Sequence, residues 1–279
     1  MLTKLVKIGN VEVGAGRPLA VIAGPCVIES KESALNHAAR LKEAADRAGV
    51  PYIFKSSFDK ANRSSVKSYR GPGLEAGLEI LAAVKKKVGV PVLTDVHEKE
   101  QVTSAKEVVD VLQIPAFLCR QTDFVVAVAE SGKVVNVKKG QFLAPWDMAN
   151  VAQKIISTGN ERILLTERGA SFGYNNLVSD MRSLVVMREL GYPVVFDATH
   201  SLQLPGGLGH ASGGERKFIP YLARAGVAAG VDVLFMEVHE DPDRALSDGP
   251  NSLPLADFET LLRIVKEIDS VIRSKASRA

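Results

Sequence analysis

Cysteine is nearly absent: the 279 residues contain only Cys26 and Cys119. Two thiols cannot build a disulfide framework, and their scarcity points to a reducing, cytoplasmic compartment. No window approaches the ~20 consecutive apolar residues that a bilayer-spanning helix needs. The first ten residues, M-L-T-K-L-V-K-I-G-N, lack the apolar block of a signal peptide. Charge of one sign is also missing. The formal net charge is +3, and the basic residues are spread along the chain instead of forming an arm or helix stripe, which argues against a nucleic-acid partner. No linker, low-complexity tract or repeat divides the chain, so residues 1–279 read as one domain.

What is present is a succession of apolar, β-branched runs. They cover Leu19–Val27, Tyr52–Phe58, Val90–Val96, Val111–Ala116, Val134–Lys138, Ile163–Glu167, Pro193–Thr199 and Val233–Val238. Between them lie amphipathic stretches at Lys31–Ala48, Leu74–Lys87, Glu98–Val108, Asp147–Ser157, Leu177–Leu190 and Arg216–Ala229, with a last one at Ala256–Lys275. Continuous apolar strands alternating with helices call for a parallel sheet covered on its outer face. Eight such units in this length fit a (β/α)8 TIM barrel. The rival open sheet is disfavoured because no G-x-G-x-x-G follows the first strand. Residues 1–14 contain L-V-K-I-G-N-V-E-V, a hairpin signal centred on Gly9-Asn10 that can cap the barrel bottom. Ser201–Gly214 is rich in glycine and reads either as a lid over the site or as an irregular surface loop.

In such a barrel the chemistry sits at the C-terminal strand ends. Here all eight ends carry polar or ionisable groups. The second is the richest: Y-I-F-K-S-S-F-D-K-A-N-R-S-S places Lys55, Lys60 and Arg63 among Ser56, Ser57, Asn62, Ser64 and Ser65. Three cations interleaved with neutral donors suit a phosphate or a carboxylate. The other ends supply Cys26 and Glu29, Asp95 and His97, Gln113 and Arg120, Lys138 and Lys139, Glu167 and Arg168, Asp197 and His200, and Glu237 and His239, with Asp248 in the S-D-G-P that follows. His37, on an amphipathic stretch, is expected at the surface.

Cys26, His200, Glu237 and Asp248 come from strands one, seven and eight, which adjoin in a closed barrel. A thiolate, an imidazole and two carboxylates suit a borderline divalent ion: Zn, Fe, Mn or Co. The competing readings are a small buried cysteine and a satisfied histidine at the barrel mouth. Lys55 and Lys138 could also serve as Schiff-base lysines of an aldolase, since clustered cations depress an amine's pKa.

Together A-G-P-C-V-I-E-S, K-S-S-F-D-K-A-N-R-S-S, T-D-V-H-E, Q-I-P-A-F-L-C-R, T-E-R-G, D-A-T-H-S and S-D-G-P closely resemble the 3-deoxy-D-manno-octulosonate 8-phosphate synthase (2-dehydro-3-deoxyphosphooctonate aldolase) family over nearly the whole chain. The related heptulosonate synthases, which use erythrose 4-phosphate, typically carry a K-P-R-T-S type segment where this chain has Lys60–Ser65. The resemblance implies condensation of phosphoenolpyruvate with D-arabinose 5-phosphate and water, a step toward a lipopolysaccharide sugar. It implies that Lys55, Ser57, Lys60, Gln113, Ala116, Lys138 and Arg168 hold phosphoenolpyruvate, and that Asn62, Arg63 and Ser64 hold the sugar phosphate. Arg120 resembles the arginine that reaches that phosphate from an adjacent subunit of a homotetramer. The resemblance also implies that Asp95 lies at the reacting centre, with Lys138, His200 and Cys26 joining it as the catalytic set. Cysteine at position 26, where metal-independent members typically carry asparagine, implies the metal-dependent branch, with Cys26, His200, Glu237 and Asp248 as ligands.

Overall fold

The computed structural model of the chain describes residues 2–206 and 213–276. It opens on the expected hairpin, β1 (Val6–Ile8) and β2 (Val11–Val13), antiparallel with Ile8 facing Val11 across Gly9–Asn10. Gly9 takes a φ of +58°, a conformation glycine adopts without steric cost. The barrel strands are β3 (Ala20–Gly24), β4 (Tyr52–Lys55), β5 (Val92–Asp95), β6 (Val111–Ile114), β7 (Val134–Lys138) and β8 (Ile163–Glu167). A small hairpin follows, β9 (Ala170–Ser171) with β10 (Leu177–Val178), then β11 (Val194–Asp197). A second small hairpin joins β12 (Gln203–Leu204) to β13 (Gly213–Gly214). The last barrel strand is β14 (Val233–His239), with β15 (Leu253–Pro254) beside its end. All eight barrel strands are parallel, and β14 pairs with both β3 and β11, closing the ring.

Strand alternation sorts the side chains into two cores. Ile22, Ile53, Leu93, Val111, Val134, Leu164, Val195 and Val233 point inward and form one buried cluster with Val6, Ile8, Val11 and Val13 of the hairpin. The hairpin therefore plugs the N-terminal end of the barrel. Val21, Phe54, Leu112, Val135, Leu165 and Phe196 point outward and pack under the helices. Continuing the inward parity toward the C-terminal ends brings Lys55, Asp95, Gln113, Lys138, Asp197 and Glu237 into the mouth, with Arg168 one step beyond β8. The alternation that seals the bottom with hydrocarbon thus fills the top with charge.

The helices are α1 (Lys31–Ala48), α2 (Leu74–Val88), α3 (Lys99–Val108), α4 (Thr122–Glu130), α5 (Met148–Ile156), α6 (Arg182–Glu189), α7 (Ile219–Ala228) and α8 (Leu255–Ala276). Helix α1 starts where the Ser30 side chain accepts the Ser33 N–H and stops at Gly49, which is left-handed at φ 66°. Helix α4 was not anticipated: F-V-V-A-V-A is uniformly apolar and carries no helical period. The helix expected from Leu177 starts only at Arg182, because the Asp180 carboxylate accepts the Arg182 N–H and Leu177–Val178 pairs as β10. Arg216–Phe218 is a 3-10 turn ahead of α7. Of the expected Ser201–Gly214 loop, residues 207–212 lie outside the described residues, whereas its two ends form β12 and β13. Among the described residues no helix is long and apolar enough to cross a membrane.

Candidate active site

The turn after β3 has no room for a side chain at Gly24. A Cβ there would sit 2.0 Å from the Lys55 carbonyl oxygen. That close approach lets buried Lys55 donate to the Cys26 carbonyl and to Ser57 Oγ, each at 3.0 Å. Its Nζ also lies 3.5 Å from Glu237 Oε1. Ser57 in turn donates to Asp95, whose other oxygen is 3.1 Å from His97 Nε2. Burial opposes ionisation of Asp95 most strongly. The His97 hydrogen bond and the charges of Lys55 and Lys60 overcome it and hold the carboxyl well below its usual range.

Across the mouth, Asp197 is fully buried and accepts five donors. Its Oδ1 takes the Thr199 N–H, the Thr199 hydroxyl and the His200 N–H at 2.9–3.1 Å. Its Oδ2 takes Lys138 Nζ and, at 2.8 Å, His200 Nδ1. Burial again opposes the charge, and His200 and Lys138 reverse the balance, so Asp197 stays ionised. Burial is also the main influence on Lys138, whose pKa falls to about 8 although Asp197 pulls it upward.

Cys26 Sγ lies 3.0 Å from Ser247 Oγ and 3.1 Å from Asp248 Oδ2. Donor atoms of Cys26, Glu237 and Asp248 all fall within 4.8 Å of one another. Burial first, then the charges of Asp248 and Glu237, push the Cys26 thiol well above its ordinary pKa. Both carboxylate oxygens of Glu237 are buried without a hydrogen-bond partner among the described residues. Acidic groups crowded this closely are compatible only through protonation or a shared cation, so the residues fit a divalent ion. His200, expected as the fourth ligand, lies beside this triad and not within it. Its Nε2 is 3.4 Å from Glu237 Oε1, while Asp197 fixes its ring from the other side.

Of these groups, Lys55, Asp95, His97, Lys138, His200 and Asp248 border a cavity of about 430 Å³ whose lining also includes Lys60, Asn62, Ser64, Gln113, Ala116 and Arg168. Arg63 also faces it and donates to Ser247 Oγ at 2.7 Å and to the Leu246 carbonyl at 3.3 Å. Arg120 is not among the cavity residues. It is exposed, and its carbonyl accepts from Lys154. Glu167 points out of the barrel, where it caps the Arg168 and Gly169 N–H groups and accepts from Ser183, with Lys139 at 3.5 Å. His37 is not at the surface: it is fully buried, its ring 4.9 Å from that of His239, and its Nε2 accepts the Glu240 N–H. Gln203 belongs to none of the sequence motifs, yet it sits between two site residues. Its Oε1 accepts from Arg168 at 2.8 Å and its Nε2 donates to Asp248 Oδ1 at 3.0 Å.

A closed barrel with a cation-lined polar mouth at its C-terminal end defines a (β/α)8-barrel enzyme built for small anionic substrates. The chain belongs to the DAHP synthetase I family, whose model matches residues 3–274. It is 64% identical to the 2-dehydro-3-deoxyphosphooctonate aldolase of Trichlorobacter lovleyi, over 98% of this chain and all of that relative. The proteins of the same name from Geotalea uraniireducens and Geobacter metallireducens are each 62% identical over the same shares.

Loss of the Asp197 carboxylate removes the acceptor that five donors share. Asp197→Asn leaves Lys138 buried beside a neutral amide, and we expect a loss of about 3–5 kcal/mol in unfolding free energy. Urea denaturation measures it, and an unchanged midpoint contradicts this account of the mouth.

Proposed function

We propose that the chain condenses phosphoenolpyruvate with D-arabinose 5-phosphate and water, giving 3-deoxy-D-manno-octulosonate 8-phosphate and inorganic phosphate. The observation that carries this reading is the division of donors in one cavity: the cations Lys55, Lys138 and Arg168 are buried, while the cation Arg63 sits with the neutral Asn62 and Ser64 on the loop that follows β4. Two anionic ligands, one compact and one longer, match that arrangement. The names of the relatives and the K-A-N-R-S-S segment favour the eight-carbon product over the heptulosonate alternative.

In this reading Lys55, Ser57, Lys60, Gln113, Lys138, Arg168 and the Ala116 backbone hold phosphoenolpyruvate by its carboxylate and phosphate. Asn62, Arg63 and Ser64 hold the sugar phosphate, so the aldehyde carbon faces C3. Holding both substrates replaces a multi-body encounter with an oriented one. As C3 bonds to the aldehyde carbon, negative charge grows on the aldehyde oxygen and positive character on C2. Water adds at C2, and the resulting hemiketal phosphate collapses by C–O cleavage to release phosphate. Lys55 and Lys138 stabilise the anionic oxygens. Asp95 and His200, each fixed by hydrogen bonds, stand where protons move. Cys26, Glu237 and Asp248, with His200 beside them as the fourth ligand, would hold a Zn, Fe, Mn or Co ion, which would supply Lewis acidity for an oxygen at this centre. The Schiff-base alternative needs a free neutral amine, but Lys138 is paired with Asp197 and Lys55 donates to Cys26 and Ser57.

The same reading takes residues 1–279 as one catalytic domain, working in the cytoplasm as a homotetramer in which Arg120 completes a neighbour's sugar-phosphate site. The exposure of Arg120 away from its own cavity supports this. So do the exposed Phe117, Phe142, Trp146 and Phe172 that follow β6, β7 and β8.

Two measurements test the proposal. Phosphate release from phosphoenolpyruvate should be fast with arabinose 5-phosphate and slow with erythrose 4-phosphate, be lost on chelation, and return with a divalent metal. The opposite sugar preference refutes the product assignment, and turnover indifferent to chelation refutes the metal. The second concerns Lys138, whose pKa of about 8 must rise when an anion arrives beside it. Above pH 8 binding then requires proton uptake, so phosphoenolpyruvate affinity should fall by up to about tenfold per pH unit. Calorimetry in buffers of different ionisation enthalpy reads both effects, and a flat affinity from pH 8 upward contradicts the role of Lys138.

A further inference from the structure

Gln203 is an uncharged side chain that joins Arg168 of the phosphoenolpyruvate clamp to Asp248 of the metal set, as Ser247 joins Arg63 to Cys26. Its carbonyl oxygen accepts from Arg168 NH2 at 2.8 Å, and its amide donates to Asp248 Oδ1 at 3.0 Å. Each bond leaves a partner atom committed in a useful way. With NH2 tied back, Arg168 NH1 is buried and without a partner among the described residues. An orphaned guanidinium donor costs free energy unless a ligand fills it, which marks NH1 as the nitrogen offered to substrate. With Oδ1 of Asp248 occupied, Oδ2 is the oxygen turned toward Cys26 Sγ, 3.1 Å away, and it faces the centre of the acidic triad.

The backbone around Gln203 fixes this geometry. Gln203 opens β12, where it pairs with Gly214 of β13, directly after the 3-10 turn His200–Leu202. Gly214 has no space for a side chain, because a Cβ would sit 2.6 Å from that of Asn251. This close packing seats the β12–β13 hairpin against the segment that follows Asp248. One short hairpin therefore carries a residue that touches both halves of the site.

We propose that Gln203 is a positioning residue that aims Arg168 NH1 at the phosphoenolpyruvate anion and presents Asp248 through a single oxygen to the divalent ion. This rests on the functional reading above. It makes the two binding events depend on one amide, although the two ligands share no residue in the assigned sets.

The test uses the full-length protein, with Gln203→Ala and the near-isosteric Gln203→Met, which keeps volume and loses both hydrogen bonds. The probes are phosphoenolpyruvate and Zn2+, each titrated calorimetrically into metal-stripped protein. Both variants should raise the dissociation constant for phosphoenolpyruvate by about tenfold. The Zn2+ dissociation constant should rise by about 10–100-fold, the usual effect of removing an outer partner of a ligand. The thermal midpoint should stay close to that of the unaltered protein. In steady-state assays the KM for phosphoenolpyruvate should rise, with the KM for arabinose 5-phosphate within about twofold of its starting value. Affinities unchanged in both variants, or restored by methionine, overturn the positioning role, as does an equal rise in both KM values. If neither variant folds, Gln203→Asn retains the amide but cannot span both partners, and it must then weaken at least one ligand. An unaltered protein that fails to bind phosphoenolpyruvate sinks the functional reading instead, and is distinguishable from every outcome above.

Discussion

Charge neutrality inside a closed barrel is the constraint on which the mouth depends. Asp197 meets it most completely: it is fully buried, stays ionised, and draws its five donors from the Lys138 amine, from Thr199 and from His200. Buried ion pairs add little to stability when intact and cost several kcal/mol when one partner is lost. A mouth assembled this way is therefore fixed in place more than it is stabilised. Lys138, held by Asp197 yet pushed down to about 8 by burial, remains a cation whose charge is weakly committed. An arriving anion strengthens that charge at little cost in rearrangement, which is preorganisation in electrostatic form.

Opposite Asp197, the group formed by Glu237, Cys26 and Asp248 is not self-sufficient. Glu237 has two buried oxygens without hydrogen-bond partners among the described residues, with the Lys55 and Lys60 amines 3.5 and 4.0 Å away. One side of the mouth is thus internally satisfied and the other is built around an unmet demand for positive charge. The two sides touch through His200, which spans Asp197 and Glu237, and through Gln203, which spans Arg168 and Asp248.

Much of this was legible in the chain itself. The eight apolar runs mark the eight barrel strands because both faces of each strand are buried, so hydrophobicity is continuous and easily seen. Lys55, Asp95, Lys138 and Glu237 are assignable to the mouth because they stand at the C-terminal ends of strands, where barrel chemistry sits. The failures share one cause: local pattern does not encode long-range partners. His37 has the sequence setting of a surface residue, yet it is buried against the tilted ring of His239 and the Glu240 N–H, some two hundred positions away. Gln203 is a plain amide inside an irregular, glycine-rich stretch, and its importance lies in two partners far along the chain. Glu167 was grouped with the site by its T-E-R-G context, yet it faces outward and supports the turn that carries Arg168. Helix α4 lacked any polar face to give it a period.

The central claim is that the buried cations of the barrel mouth clamp phosphoenolpyruvate deep in the cavity, beneath the loop that carries Arg63. A crystal structure of the protein with phosphoenolpyruvate tests it most directly. The account predicts the carboxylate and phosphate within hydrogen-bond distance of Lys55, Lys138 and Arg168, with Arg168 NH1 newly occupied and the Lys138–Asp197 pair retained. Phosphoenolpyruvate bound at the Asn62–Ser64 level, or outside the barrel mouth with these three cations unchanged, would contradict it.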